Sequence, residues 1–195
     1  MRCLYCNKPI DRYTLKSFLL KDDSLCIDCR KELKVDKKII KLNELEVETF
    51  FEYEGIFKDL LLQFKECYDE ALKDVFLYDL KEYLEYKYHG YNIVYVPSSL
   101  KKINERGFNH LKLIYSSLNL KKEDVLRIKQ DLIQQGKNKE ERTRIIDNFY
   151  FEGKKLNKVL IVDDVLTTGS SMLGAFKALN GKCEKIKAIC LAKAK

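Results

Sequence analysis

Val159-Leu160-Ile161-Val162-Asp163-Asp164-Val165-Leu166-Thr167-Thr168-Gly169-Ser170-Ser171 decides the fold class of this chain. An apolar run of buried-strand length meets two adjacent carboxylates, and a hydroxyl-rich turn around Gly169 then opens a helix. In open parallel sheets ligands sit at the carboxyl ends of strands, so Asp163 and Asp164 are expected at a rim where ligands bind. The first N–H groups of a helix lack intrahelical partners, and Thr167, Thr168, Gly169, Ser170 and Ser171 would surround a phosphate with such donors plus four hydroxyls. Carboxylates repel phosphate but accept well from neighbouring sugar hydroxyls or bind a divalent metal. A ribose 5-phosphate satisfies both halves. The plainer alternative is that Asp163 and Asp164 merely end a strand and Ser170 caps the following helix.

Outward from this stretch, the 195 residues suit one core domain with a small appendage, and 46% apolar residues can fill that core. No apolar run approaches the roughly 18 residues of a membrane span. Met1 to Pro9 lacks the apolar stretch of a signal peptide, so a cytoplasmic protein without membrane insertion is expected. The net charge of +7 is unevenly spread. Residues 44–86 hold thirteen acids against four lysines, whereas residues 101–160 hold fifteen Lys or Arg against eight acids, a region able to meet polyanions.

Four of the seven cysteines are paired as Cys3-x-x-Cys6 and Cys26-x-x-Cys29, the spacing of a metal site. Two thiolates two residues apart reach one ion from a tight turn, and two such turns complete a tetrahedral zinc site. All four positions being Cys, the zinc is expected to be structural. It would let some thirty residues fold that cannot build a core of their own. Cys67, Cys183 and Cys190 read as small core residues.

Between these motifs, residues 44–54 alternate acids with Leu45, Val47, Thr49, Phe51 and Tyr53, predicting a strand wet on one face. Phe57, Leu60, Leu61 and Phe64 recur at helical spacing after Gly55, and a second amphipathic helix is expected from about Glu70 to Tyr88. Asn92 to Val96 is a short strand stopped by Pro97, followed by a polar, basic loop with Ser98, Ser99, Lys101 and Lys102. Arg106-Gly107-Phe108-Asn109-His110 leads into another helix, Arg106 offering a fork of donors suited to phosphate. Val125–Ile128 and Asn148–Phe151 read as strands around a polar segment, residues 129–145, which is either an active-site loop or a solvated connector. Strands alternating with helices give an α/β fold with a mostly parallel sheet flanked by helices.

The paired Cys-x-x-Cys motif, Val96-Pro97-Ser98-Ser99, Arg106 to His110, the Gln-rich segment around Gln134 and Gln135 with Arg142, and Val162 to Gly169 together resemble the ComF family over nearly the whole chain. The resemblance implies a type I phosphoribosyltransferase-like domain over residues 36–195 behind a zinc ribbon at 1–35, and a link to DNA uptake in natural transformation. It implies that phosphoribosyl pyrophosphate (PRPP) or ribose 5-phosphate, with Mg²⁺, is held by Asp163, Asp164, Val165, Leu166, Thr167, Thr168, Gly169, Ser170 and Ser171. Ser98, Ser99, Lys101 and Lys102 match the pyrophosphate loop, and Gln134 to Arg144 the mobile loop. This chain has His110 where Gln is usual in the family, and Asp131 and Ile145 where Thr and Asn are common. In a transferase, Asp163, Asp164, Arg106 and Arg142 would carry the chemistry, and any cover over an acceptor would come from aromatics such as Phe50, Phe51 and Tyr53. Single-stranded DNA is expected on the basic surface, with Lys121, Lys122, Lys137 and Lys139 as contacts, and DNA-uptake proteins are the expected partners. Two functions stay open: a competence protein with PRPP as ligand or regulator, and an enzyme transferring phosphoribose to a nucleobase or related acceptor.

Overall fold

A computed structural model describes residues 1–10, 23–129 and 148–195. Its centre is a six-stranded sheet of β1 (Lys38–Leu42), β2 (Leu45–Glu52), β3 (Asn92–Tyr95), β4 (Lys121–Glu123), β7 (Leu156–Leu166) and β8 (Cys183–Lys193), in the order β1-β2-β8-β7-β3-β4. Only the β1–β2 hairpin is antiparallel; every other pairing is parallel. Val159 to Val162 on β7 and Ile189 to Ala192 on β8 are fully buried, as central strands covered on both faces must be. Each such aliphatic side chain contributes roughly 1.5–3 kcal/mol of burial. This is the expected mostly parallel α/β sheet with helices packed on it.

The helices are α1 (Ile27–Glu32), α2 (Gly55–Glu66), α3 (Lys81–Lys87), α4 (Leu100–Arg106), α5 (His110–Ile114) and α6 (Ser170–Leu179). In α2 the predicted face is the buried one: Phe57, Leu60, Leu61 and Phe64 all lie in the core. Phe57 also packs on Phe76, and Phe64 on both Phe76 and Phe108. This aromatic stripe is core.

Several expectations are corrected. The helix predicted over Glu70–Tyr88 is a 3₁₀ turn at Glu70–Leu72, then turns, then the seven-residue α3. Within the interrupted stretch, Arg30 Nη1 donates to the Val75 carbonyl at 3.0 Å. β2 has no wet face over most of its length: Glu48 and Thr49 are buried, because β1 and β8 flank the strand and residues of the α3 segment cover Glu48. Phe50 and Phe51 are core residues, Phe51 stacking on Phe57 at 4.8 Å, so neither is available to cover an acceptor. β5 (Leu126–Ile128) and β6 (Phe149–Phe151) pair with each other as a separate antiparallel ribbon instead of joining the main sheet. The edge strand next to β3 is β4, whose Lys-Lys-Glu sequence carries no strand signal of its own. Cys190 is buried and Cys183 half-buried, but Cys67, at the end of α2, is exposed.

Candidate ribose-phosphate site and cysteine cluster

β7 does not stop at the carboxylates. Its pairing with β8 continues through Asp163 opposite Cys190 and Val165 opposite Ala192 to Leu166 opposite Lys193. The two aspartates therefore lie within the strand, where successive side chains point to opposite faces. Thr167 and Thr168 are exposed in the turn, and Gly169 takes φ 76° at the start of α6. A residue with a Cβ would strain that turn by about 1–2 kcal/mol. Thr168 Oγ1 lies 2.9 Å from Ser170 Oγ and accepts from the Ser170 N–H at 3.4 Å. Ser170 is buried and Ser171 half-buried, both in the first turn of α6.

Asp164 is 6% exposed, and its Oδ2 is held by ion pairing and meets no hydrogen-bond donor in good geometry among the described residues. Oδ1 accepts from the Val165 N–H at 2.7 Å; Oδ2 meets Nε2 of His110 at 2.8 Å and is paired with the ammonium of Lys65. Burial opposes the charge of Asp164, but His110 and Lys65 outweigh it and hold the carboxyl well below the usual range. Burial pushes the His110 imidazole down, against the pull of Asp164, so it is neutral. Arg106 Nη1 stands 3.4 Å from His110 Nδ1. A guanidinium only donates, so Nδ1 accepts and Nε2 carries the proton that faces Asp164 Oδ2. The other arm of Arg106 faces Glu66 at 3.6 Å.

Asp163 is half-buried, and its Oδ1 accepts from the Asp164 N–H at 2.9 Å. Burial and the neighbouring Asp164 charge push its carboxyl upward. Buried Tyr115 donates to the Asp163 carbonyl at 2.9 Å and pins this part of β7.

Ser98 and Ser99 follow β3 and border a cavity of about 700 Å³ whose walls include Tyr95, Ile103, Asn109, Arg127 and Tyr150. Lys101 and Lys102 lie within α4, not in a loop. Arg106 is joined to Asp164 through His110. Lys121 and Lys122 are on β4: Lys121 pairs with Glu123 at 2.7 Å, and Lys122 donates to the carbonyls of Ser116, at 3.2 Å, and Leu118. Arg142, Lys137 and Lys139 fall outside the described residues, as does the Gln134–Arg144 segment. Sequence reading did not single out Lys65 or Tyr115, and gave His110 no contact with the carboxylates. A charged residue in the last turn of an amphipathic helix and a Tyr in an apolar stretch carry no local sign of what they meet in three dimensions.

The four cysteines converge. Their sulfurs all lie within 4.8 Å of one another, with Cys6 Sγ 3.6 Å from Cys26 Sγ. Ligand bonds of about 2.3 Å in a tetrahedron put sulfurs about 3.8 Å apart, so the cluster can hold a metal ion such as zinc. Against burial, backbone hydrogen bonds from Cys6, Cys26 and Tyr5 lower the Cys3 thiol, while burial and the neighbouring thiols push Cys29 up. One thiol of the cluster thus gives up its proton at the expense of the others. The segment docks on α2, Tyr5 donating to Asp59 at 3.0 Å and Gln63 to the Leu4 carbonyl at 3.4 Å.

Residues 103–195 match the family model of the phosphoribosyl transferase domain, a span that contains this strand, turn and helix. The similarity to a curated relative extends over most of the chain. The chain is 27% identical to Competence protein ComFC of Streptococcus pneumoniae (strain ATCC BAA-255 / R6) over 88% of this chain and 90% of that one. Among solved structures, a hypoxanthine-guanine phosphoribosyltransferase of Bacillus anthracis aligns with a TM-score of 0.39 at 11% identity, covering 64% of this chain and 68% of that one. A hypoxanthine phosphoribosyltransferase of Staphylococcus aureus aligns with a TM-score of 0.35 at 16% identity, covering 64% of each chain. No helix among the described residues is long and apolar enough to cross a membrane.

Proposed function

We propose that this is a ComF-like protein of DNA uptake that binds PRPP or a ribose phosphate with Mg²⁺ at Asp163 to Ser171, carries a structural zinc on Cys3, Cys6, Cys26 and Cys29, and holds single-stranded DNA on basic surface. The observation that carries this reading is the β7 end itself: carboxylates within the strand, an exposed Thr167-Thr168 turn, and Gly169 in the left-handed region opening α6. Anion binding at such a turn draws on unpaired helix N–H groups and on the macrodipole. The 27% identity to Competence protein ComFC over most of both chains favours the DNA-uptake role.

A second reading is an active phosphoribosyltransferase. The cavity beside Ser98 and Ser99 favours it, since about 700 Å³ is ample for a nucleobase and Tyr150 offers an aromatic face. One pair of assays separates the two. Protein incubated with Mg²⁺, PRPP and each common nucleobase is expected to release pyrophosphate far more slowly than about 1 s⁻¹. The same protein is expected to bind a mixed-sequence oligonucleotide with an affinity that falls steeply as salt rises, because lysines release counterions from phosphates. Fast turnover with any base makes the enzyme reading correct, and absent or salt-independent DNA binding removes the DNA role.

A further inference from the structure

We propose that single-stranded DNA lies across the end of the sheet where β7 and β8 begin, remote from the Thr167-Thr168 turn, and is held there by its phosphates alone. The inference rests on the DNA-binding reading above and deepens it by naming the surface.

Parallel pairing brings two short stretches together. Lys154-Lys155-Leu156-Asn157-Lys158 leads into β7, and Lys182-Cys183-Glu184-Lys185-Ile186-Lys187 into β8. The Leu156 N–H donates to the Lys182 carbonyl at 3.1 Å, and Lys158 stands opposite Lys185 in the register. Register partners on neighbouring strands are roughly 4.8 Å apart and share a face with residues two further along, so Lys158, Lys185 and Lys187 form one basic patch. Lys154, Lys155 and Lys182 are exposed in the connections just before the two strands. Glu184 is the one acid of both stretches, and strand alternation turns it to the other face.

Like charges directly opposite one another on adjacent strands cost stability. Nothing within the protein offsets them here. Among the described residues no carboxylate pairs with Lys154, Lys155, Lys158, Lys182 or Lys185, and Lys187 reaches Glu46 only at 3.9 Å. The Lys158 ammonium instead stands 5.9 Å from the centre of the Tyr91 ring. Ammonium groups set in regular strand geometry and left without counter-charge are complementary to an external polyanion. The lysines of β4 differ in this respect, since Lys121 pairs with Glu123 and Lys122 is taken by two carbonyls.

The same chemistry selects the occupant. No single phosphate can meet lysines that sit on two strands and on both connections leading into them, whereas a chain of phosphates can. Lys185 and Lys187 also line a cavity of about 230 Å³ beside Tyr88 and Tyr91, whose acids are already answered, Glu48 by Lys87 and Glu46 by Lys187. It has room for one sugar or phosphate of such a chain. All six cations are Lys, compact charges on flexible stems, and no Arg fork is present to fix a base edge, so contact is to the backbone and indifferent to sequence. Neither stretch offers a helix or a free two-stranded ribbon to enter a major groove, which favours a single strand over a duplex. From Lys158 to Leu166 β7 covers roughly 26 Å at about 3.3 Å per residue, so the DNA surface and the phosphate turn are separate.

The test is fluorescence anisotropy of a labelled single-stranded oligothymidylate, titrated with full-length protein over a series of salt concentrations, with thermal melting and sedimentation with vesicles of anionic phospholipid alongside. Wild type is compared with the triple variant Lys155→Gln, Lys158→Gln and Lys185→Gln, and with a charge-matched control, Lys8→Gln, Lys31→Gln and Lys34→Gln, on the cysteine segment. The triple variant should bind the oligonucleotide at least about tenfold more weakly at low salt. Its slope of log affinity against log salt should be shallower by about 2, since each phosphate contact on a single strand contributes about 0.7. It should melt no lower than wild type, because it relieves like-charge repulsion. The control should stay within about twofold of wild type. Wild-type binding with equal losses in the triple variant and the control, or with no loss in the triple variant, overturns the inference alone. So does a triple variant that loses vesicles and keeps DNA, which gives the surface to a lipid. Should the triple variant fail to fold, Lys158→Gln and Lys185→Gln singly decide the matter: each should lower the slope by about 0.7, and unchanged slopes in both count against the inference. A wild-type protein that does not bind the oligonucleotide at low salt overturns the DNA reading, and this inference with it.

Discussion

Glu48 sits in the middle of β2 with 7% of its surface exposed, an expensive place for a carboxylate unless every lone pair is used. Tyr83 donates to Oε1 at 2.6 Å, and Tyr88 and Lys87 donate to Oε2 at 2.7 and 2.9 Å, so one charge fastens the α3 segment to the sheet. Burial works against ionisation, but Lys87 and the two phenols outweigh it and hold the carboxyl below its ordinary value. Burial, reinforced by Glu48, raises the Tyr88 hydroxyl, keeping it a donor. The depressed value means the folded state prefers the ionised form. The resulting stability is present in full above the unfolded carboxylate value of about 4.3 and is lost as pH falls through the folded one. Glu48→Ala should cost about 1–3 kcal/mol at pH 7, because it leaves the buried Tyr88 hydroxyl without its acceptor. Glu48→Gln should be destabilised at pH 7 and lose less stability than wild type between pH 5 and pH 3. Urea unfolding across that range checks both, and equal pH slopes for wild type and Glu48→Gln would refute the assignment. None of this was legible in the sequence. Glu48 lies at a polar beat of an alternating strand, and only the packing of α3 on that face turns a solvated acid into a buried one.

At the scale of elements, legibility tracked how local the deciding interaction is. The β7 turn and α6 were readable because their signals are contiguous: the apolar run, the hydroxyls, and a glycine where φ must be positive. The end of β7 was not, since its last residues pair with Cys190 to Lys193, a partner remote in sequence. The face of α2 was readable from its period, while the destination of Lys65 depended on which way that helix crosses the molecule. Lys121-Lys122-Glu123 lacked any strand signal because an edge strand of three residues is held by its pairing with β3 and by the Lys122 contacts, with little burial of its own side chains. The four cysteines were readable as a metal cluster from spacing alone, and their sulfurs do converge. That element makes a prediction of its own. Protein purified without added metal should carry one zinc per chain, and Cys26→Ser with Cys29→Ser should abolish it and lower the melting temperature. Because Tyr5 and Gln63 tie the cluster to α2, the helix that supplies Lys65, the same variant should also weaken PRPP binding. Elemental analysis finding no zinc, or full stability and metal in the double variant, would end this account of the amino-terminal segment.

Across the whole molecule, one continuous core joins the cysteine segment, α2 and the parallel sheet, so that Cys29 and Leu33 are buried in the same cluster as Leu60, Val162 and Leu191. The polar chemistry is gathered where α2, α4 and α5 meet the last residues of β7, and the turn to α6 leads away from that junction. A phosphate-bearing sugar is the ligand proposed for this arrangement, with the turn for the anion and the carboxylates of β7 for hydroxyls or metal. The measurement that reaches this claim most directly is a calorimetric titration of the wild-type protein and of Asp163→Asn with PRPP, each with and without Mg²⁺. The account predicts saturable, Mg²⁺-strengthened binding by wild type at one site per chain, and a loss of about 1–3 kcal/mol in Asp163→Asn. Binding of equal strength by both proteins, or none by the wild type, would contradict it.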